Sequence, residues 1–230
     1  MSQVVLSTSV YISSVETIGV SLLASPYGLL VGTTSTAFLI DVSFDLSSST
    51  SVYLQRGCGV YSIALGTGLI YLGNNTTPGL VYILNPQLQI ENILTSYNQY
   101  AQVYSVVTTP TALLVGYYNY GRGAVEIYDI NTLNYIGKLV LPTARGGVTA
   151  MAIGSTALYV GYNMSPGVVD VFNASTLAYE ATFTAPTGHN SVSTLVLTST
   201  ALYVGYNMSP GVVDMVDTKT LHLAVSCSYS

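Results

Sequence analysis

Short apolar runs and short polar interruptions alternate along the chain. The runs are rich in Val, Ile, Leu, Thr and Tyr, and they are bounded by Gly, Pro, Asn, Asp and Ser. That is the pattern of β-strands joined by tight turns. In one stretch they fall at 157–161, 168–172, 179–184 and 192–198. No helix-length segment repeats its apolar residues every 3.6 positions. Helical repeats and a parallel β–α arrangement are therefore excluded.

The pattern is periodic. Ser155 to Asp170 read STALYVGYNMSPGVVD, and Ser199 to Asp214 read the same, 44 positions later. Fainter copies begin at Tyr27, Thr67 and Thr111. The anchoring glycines are Gly32, Gly73, Gly116, Gly161 and Gly205, at spacings of 41, 43, 45 and 44. A period in this range marks propellers and solenoids.

The turns add a physical reason. Pro78-Gly79, Pro166-Gly167 and Pro210-Gly211 occupy one place in three copies. Proline presets φ and glycine accepts a positive φ, so a type II turn is expected there. Six residues after these glycines and after Gly123 stand Asn85, Asp129, Asn173 and Asp217. Such side chains close turns on their own backbone. Each copy thus reads strand, long turn, strand, short Asx turn, strand. With the strand that follows, it makes a four-stranded antiparallel meander. The expected fold is all-β: a single five-bladed β-propeller with repeats near 15–57, 58–101, 102–146, 147–190 and 191–230.

The segments LYVGYN with GVVDVFNASTL, and LYVGYN with GVVDMVDTKTL, resemble the YVTN or NHL-type propeller repeat. The resemblance covers nearly the whole chain at the level of fold. It departs from WD-type repeats, since the chain has no tryptophan. It implies a binding platform and no particular ligand.

Ring closure is expected from terminal strands. Two segments suit the outermost place of the fifth blade, 4–12 near the start and 221–228 near the end. One is an added edge strand, or one is donated to a neighbouring subunit, because an unpaired edge is a template for pairing.

Composition narrows the function. Only 7% of residues are charged, against about 25% in an ordinary domain. The five cations (Arg56, Arg122, Lys138, Arg145 and Lys219) are too scattered to form a basic patch. Nucleic-acid binding, which rests on several phosphate contacts, is not expected. No apolar stretch is long enough to insert in a membrane, and no secretory signal is visible. The 20 tyrosines against 4 phenylalanines give a surface that is polar without ionising below about pH 9. Few carboxylates leave few ion pairs to lose in acid. The composition resembles structural proteins of hot-acid archaea and their viruses. An extracellular or virion location follows as an expectation, with the cytoplasm left open. If the protein is external, the sequons at Asn74, Asn75, Asn163, Asn173 and Asn207 become glycosylation candidates. Cys58 and Cys227 either pair across the ring closure or stay free.

The candidate ligand site lies where the long turns and interblade loops share one face. It gathers Tyr117, Tyr162, Asn163, Tyr206, Asn207, Arg145 and His189, with Arg56 nearby. Aromatics, amides and an arginine suit a sugar or a protein partner. The competing reading packs these tyrosines between blades. No metal site or cofactor is expected, because His189 and His222 share no ligand spacing with cysteines or acids. Glycoside hydrolysis needs two facing carboxylates. The inner strands carry none, and Glu16 alone stands just before one. The expected function is non-enzymatic. It is a structural or protein-interaction propeller that binds protein partners or itself, with carbohydrate binding as the alternative.

Overall fold

The computed structural model describes residues 21–26, 28–33, 36–40, 50–54, 59–119, 121–143 and 145–229. Five four-stranded sheets follow one another along the chain. The first holds β1 (Ser21–Ser25), β2 (Gly28–Gly32), β3 (Thr36–Ile40) and β4 (Thr50–Tyr53). The second holds β5 (Val60–Gly66), β6 (Leu69–Asn74), β7 (Leu80–Leu84) and β8 (Ile90–Thr95). In the third are β9 (Val103–Thr108), β10 (Ala112–Asn119), β11 (Arg122–Asp129) and β12 (Tyr135–Lys138). The fourth comprises β13 (Val148–Ile153), β14 (Ala157–Tyr162), β15 (Val168–Asn173) and β16 (Tyr179–Thr184). The fifth comprises β17 (Val192–Leu197), β18 (Ala201–Tyr206), β19 (Gly211–Asp217) and β20 (Leu223–Tyr229). Every neighbouring pair within a sheet is antiparallel.

The sheets pack face to face, and the first strands stand in a row: β1 by β5, β5 by β9, β9 by β13 and β13 by β17. The core lies between the sheets. On β14, Leu158 and Val160 join the third sheet's Leu114 and Val125. Tyr159 points the other way, into a cluster with Leu202 and Val204 of the fifth sheet. Both faces of such a strand are covered, so its sequence reads as a nearly continuous apolar run.

Hydroxyls stitch the joints near the first strands. Ser62 Oγ accepts the Val106 N–H at 2.8 Å, and Ser105 Oγ accepts that of Met151 at 2.8 Å. Thr149 Oγ1 donates to the Val192 carbonyl at 2.6 Å.

The Asx turns form as expected. Asp129 Oδ1 accepts the N–H groups of Asn131 and Thr132, and Asp217 Oδ1 those of Lys219 and Thr220. Asn85 and Asn173 do the same with their amide oxygens. Each loop ends on a leucine in the left-handed region: Leu88, Leu133, Leu177 and Leu221, at φ 59°, 58°, 57° and 55°. This conformation costs a non-glycine residue about 1–2 kcal/mol. Packing of those side chains on the sheet clusters offsets it.

The Pro-Gly corners differ from the expected type II turn. The bonds Thr77-Pro78, Ser165-Pro166 and Ser209-Pro210 are cis, and none of the glycines that follow has a positive φ. Glycine is required at two of them by close approach. A Cβ on Gly167 would sit 2.6 Å from the Asn190 carbonyl oxygen, and one on Gly79 would sit 2.9 Å from that of Ala101. Each of these two corners seals against the loop that leads to the next sheet.

The outermost place of the fifth sheet is taken by Leu223–Tyr229. The rival segment, 4–12, lies outside the described residues, as do Glu16, Arg56 and Cys58. Among the described residues the expected ring closure is not seen: the fifth sheet does not pack on the first as the other sheets pack on their neighbours. Its outward face leaves Val196 55% and Val213 44% exposed. Cys227, a free and exposed thiol, lies opposite Val213 on that face.

Candidate functional site

A carboxylate recurs in the middle of three third strands. Glu126, Asp170 and Asp214 stand opposite Val115, Val160 and Val204, and all three are fully buried. A buried charge is costly unless it is hydrogen-bonded, and each of these is met by the preceding interblade loop. Glu126 accepts the Tyr97 and Asn98 N–H groups and the Asn98 amide. Asp170 accepts Arg145 Nε and Nη2, each at 2.7 Å, and Thr182 Oγ1 at 2.6 Å. Asp214 Oδ2 lies 3.0 Å from His189 Nδ1 and accepts the Tyr206 hydroxyl at 2.8 Å.

Tyr206 completes one of these clamps and Tyr128 another, its hydroxyl donating to Glu126 Oε2, whereas the buried hydroxyls of Tyr117 and Tyr162 have no hydrogen-bond partner among the described residues. Tyr117, Tyr162 and Tyr206 are buried. Burial, reinforced by the neighbouring acid, pushes all three hydroxyls well above the ordinary tyrosine range. The Arg145 guanidinium lies 5.8 Å from the centre of the Tyr162 ring. The expectation of an open face carrying these residues is therefore corrected. Tyr117, Tyr162, Tyr206, Arg145 and His189 are spent between sheets: Arg145, His189 and Tyr206 meet buried carboxylates there, and Tyr117 and Tyr162 pack in the core clusters. Asn163 and Asn207 alone of that set are exposed. Asn74 is buried, so the folded chain cannot present its sequon.

A second arrangement is more open. Each inner strand of the last four sheets has a β-bulge at the same place. The residue left out of the ladder is Tyr61, Tyr104, Thr149 or Ser193. Bulges re-aim side chains and gather at functional sites. Here the four line one cavity of ≈ 320 Å³, with Tyr118, Asn163 and Asn207 from the ends of second strands. The rings of Tyr61 and Tyr104 have centroids 4.7 Å apart, and those of Tyr104 and Tyr118 5.3 Å. Asn163 Nδ2 donates to the Tyr118 hydroxyl at 2.8 Å. A Cβ on Gly147 would fall 2.3 Å from the Tyr118 ring, so glycine is what lets that ring lie over the backbone. Among the described residues no charged side chain lines this mouth. The sequence reading missed Tyr61, Tyr104 and Tyr118. Aligning the copies at 43 to 45 positions would have put Tyr61 and Tyr104 in one column.

Among the described residues, no three His, Cys, Asp or Glu side chains are grouped to hold a metal ion.

The assembled sheets match known architecture. A chain of the mitotic checkpoint complex superposes with a TM-score of 0.67 at 16% identity, over 99% of this chain and 73% of that one. The β-propeller domain of Myceliophteria thermophila Cps50 (Swd1) matches with 0.67 at 14% identity, over 90% and 70%. The chain has the β-propeller fold. The computationally designed Ika4 protein also resembles it, with a TM-score of 0.53 at 14% identity, over 71% of this chain and 93% of that one. No protein-family model and no curated protein sequence matches the chain. At these identities the likeness concerns fold, and function must come from the site.

Proposed function

We propose that this propeller is a non-enzymatic structural component that binds protein, foremost further copies of itself, at the surface of a virion or cell in a hot-acid archaeal setting. The observation that carries the reading is the bare outward face of the fifth sheet. Val196, Val213 and Val225 are exposed there, and the same positions one repeat earlier are covered by the next sheet. Sixteen identical residues make Tyr203, Gly205 and Val213 of this face a repeat of Tyr159, Gly161 and Val169, and Val196 and Val225 stand where the fourth sheet has Ala152 and Ala181. The face suits the same kind of cover, the back of another propeller sheet. A neighbouring copy's first sheet supplies that in a head-to-tail array, which leaves each added copy with a fresh face. The chain's own first sheet would supply it in a closed five-bladed ring.

The clamps support the non-enzymatic part, since the three buried acids already take donors from the loops before them. The external setting rests on the charge-poor, tyrosine-rich composition. A carbohydrate site in each blade loses its tyrosines to the core and is not favoured in that form.

Molar mass by light scattering, at pH 3 and pH 7 and with or without residues 1–14, tests the reading. Thiol labelling of Cys227 in a Cys58→Ser background runs beside it. Species above the 24.3 kDa monomer, with Cys227 protected in step with assembly, are expected. A monomer at all concentrations with a protected Cys227 means an intramolecular ring and overturns self-assembly.

A further inference from the structure

We infer that the bulge-lined mouth is a binding site for a neutral saccharide. The argument is independent of what covers the fifth sheet, because the mouth is built from the second to fifth sheets.

Three features point to this ligand class. First, one wall is aromatic: Tyr61, Tyr104 and Tyr118 form a continuous run of rings, each tilted 36° to 38° to the next. All three are partly exposed. A sugar ring offers a C–H face to such a wall and hydroxyls around its rim. Second, apart from Val192 the rest of the lining carries hydroxyls and amides: Thr149, Ser191, Ser193, Asn163 and Asn207. Amides both donate and accept, as recognition of sugar hydroxyls demands. Third, among the described residues no charge lines the mouth, and phosphates, sulfated sugars and acidic peptides find no counter-ion among them.

The geometry is built, not incidental. Four bulges at one register turn four side chains out of the ladder into one space. The Asn163 amide and the bare Gly147 backbone hold the Tyr118 ring in place. The cavity, ≈ 320 Å³, lies at the small end of the ordinary range for small-ligand sites, about 300–1,000 Å³. It fits the end of a glycan rather than a length of polymer. A proline-rich peptide also favours aromatic grooves, but it makes little use of a wall of amides and hydroxyls.

Saturation-transfer NMR with the methyl glycosides of glucose, mannose, galactose and N-acetylglucosamine provides the test. Transfer to at least one glycoside is expected, with displacement on titration. Tyr104→Ala should weaken it at least ten-fold. Ser193→Phe, which fills the mouth from an exposed strand position, should abolish it without disturbing the fold. Far-UV circular dichroism checks both variants, and Ser193→Phe carries the test if Tyr104→Ala does not fold. Absence of transfer to all four glycosides at millimolar concentration overturns the inference. So does binding that survives Ser193→Phe unchanged, or a polyproline peptide that binds where no glycoside does.

Discussion

The fourth and fifth sheets share sixteen consecutive identical residues and have different surroundings. Tyr159 is 3% exposed and its counterpart Tyr203 37%. Val169 is buried and Val213 is not. A Cβ on Gly167 would strike the next loop, whereas one on Gly211 would meet nothing. Strand, turn and register are the same in both, so the local sequence sets those. Burial is set by whichever sheet comes next. The contrast separates what a repeat does for itself from what its neighbour does for it.

The largest expected effect lies in the clamps. Arg145→Ala leaves Asp170 in a closed joint without its bidentate partner. Breaking such a pair costs about 3–5 kcal/mol. His189→Ala, the matching change for the fifth sheet, leaves Asp214 its tyrosine donor and should cost less, about 1–3 kcal/mol. Denaturant unfolding of the two variants gives the difference. Equal losses would mean that Tyr206 does not share the load.

Next comes the face itself. Tyr159→Ala removes a buried ring and should cost about 3–5 kcal/mol. Tyr203→Ala on an uncovered face should cost under about 1 kcal/mol. A Tyr203→Ala loss as large as that of Tyr159→Ala in dilute monomer would show the face covered by the chain's own first sheet. A loss that grows with protein concentration would place a second copy there.

The same contrast explains what could be read in the sequence. The period, the strands and the Asx turns at Asn85, Asp129, Asn173 and Asp217 were legible, because each depends on residues close along the chain. The clamps were hidden because Arg145 meets Asp170 across 25 positions and between two sheets. Tyrosine adds ambiguity, since it suits a surface and a core alike. A signal did exist: an acid recurs at one place in three otherwise apolar strands, eight or nine residues after a tyrosine. The bulges at Tyr61, Tyr104, Thr149 and Ser193 had no such marker, because only the pairing register reveals them. Nor did the Pro-Gly corners betray their cis bonds.

Gly167→Ala against Gly211→Ala is a gentler probe of the same joint. The first should cost about 1–3 kcal/mol through overpacking against Asn190, and the second should be close to neutral. Thermal melts suffice to read it. A matching penalty at Gly211 would mean that its corner too is sealed by a neighbour.

The smallest effect concerns charge alone. Asp217 of the fifth sheet and Asn173 of the fourth close the same Asx turn, so the pair compares a carboxylate with an amide. The turn itself needs only an acceptor oxygen, which either side chain supplies. In the fifth sheet the Thr220 N–H and hydroxyl, with the Lys219 N–H, hold Asp217 below the usual carboxylate value. Asp129 is held down in the same way, by Thr132 first and then Asn131. A folded pKa below the unfolded one gives stability that is present above the unfolded value, about 3.9, and is lost as pH falls through the lowered folded value. Asp129→Asn with Asp217→Asn keeps both turns, as Asn85 and Asn173 show an amide can. The double variant lacks that contribution, so it should be slightly less stable than the parent at neutral pH and lose less stability as pH falls from about 4 to about 2. Melting temperatures across that range decide it. Superimposable profiles would mean that the two turns contribute nothing to acid sensitivity, which would then have to arise inside the joints.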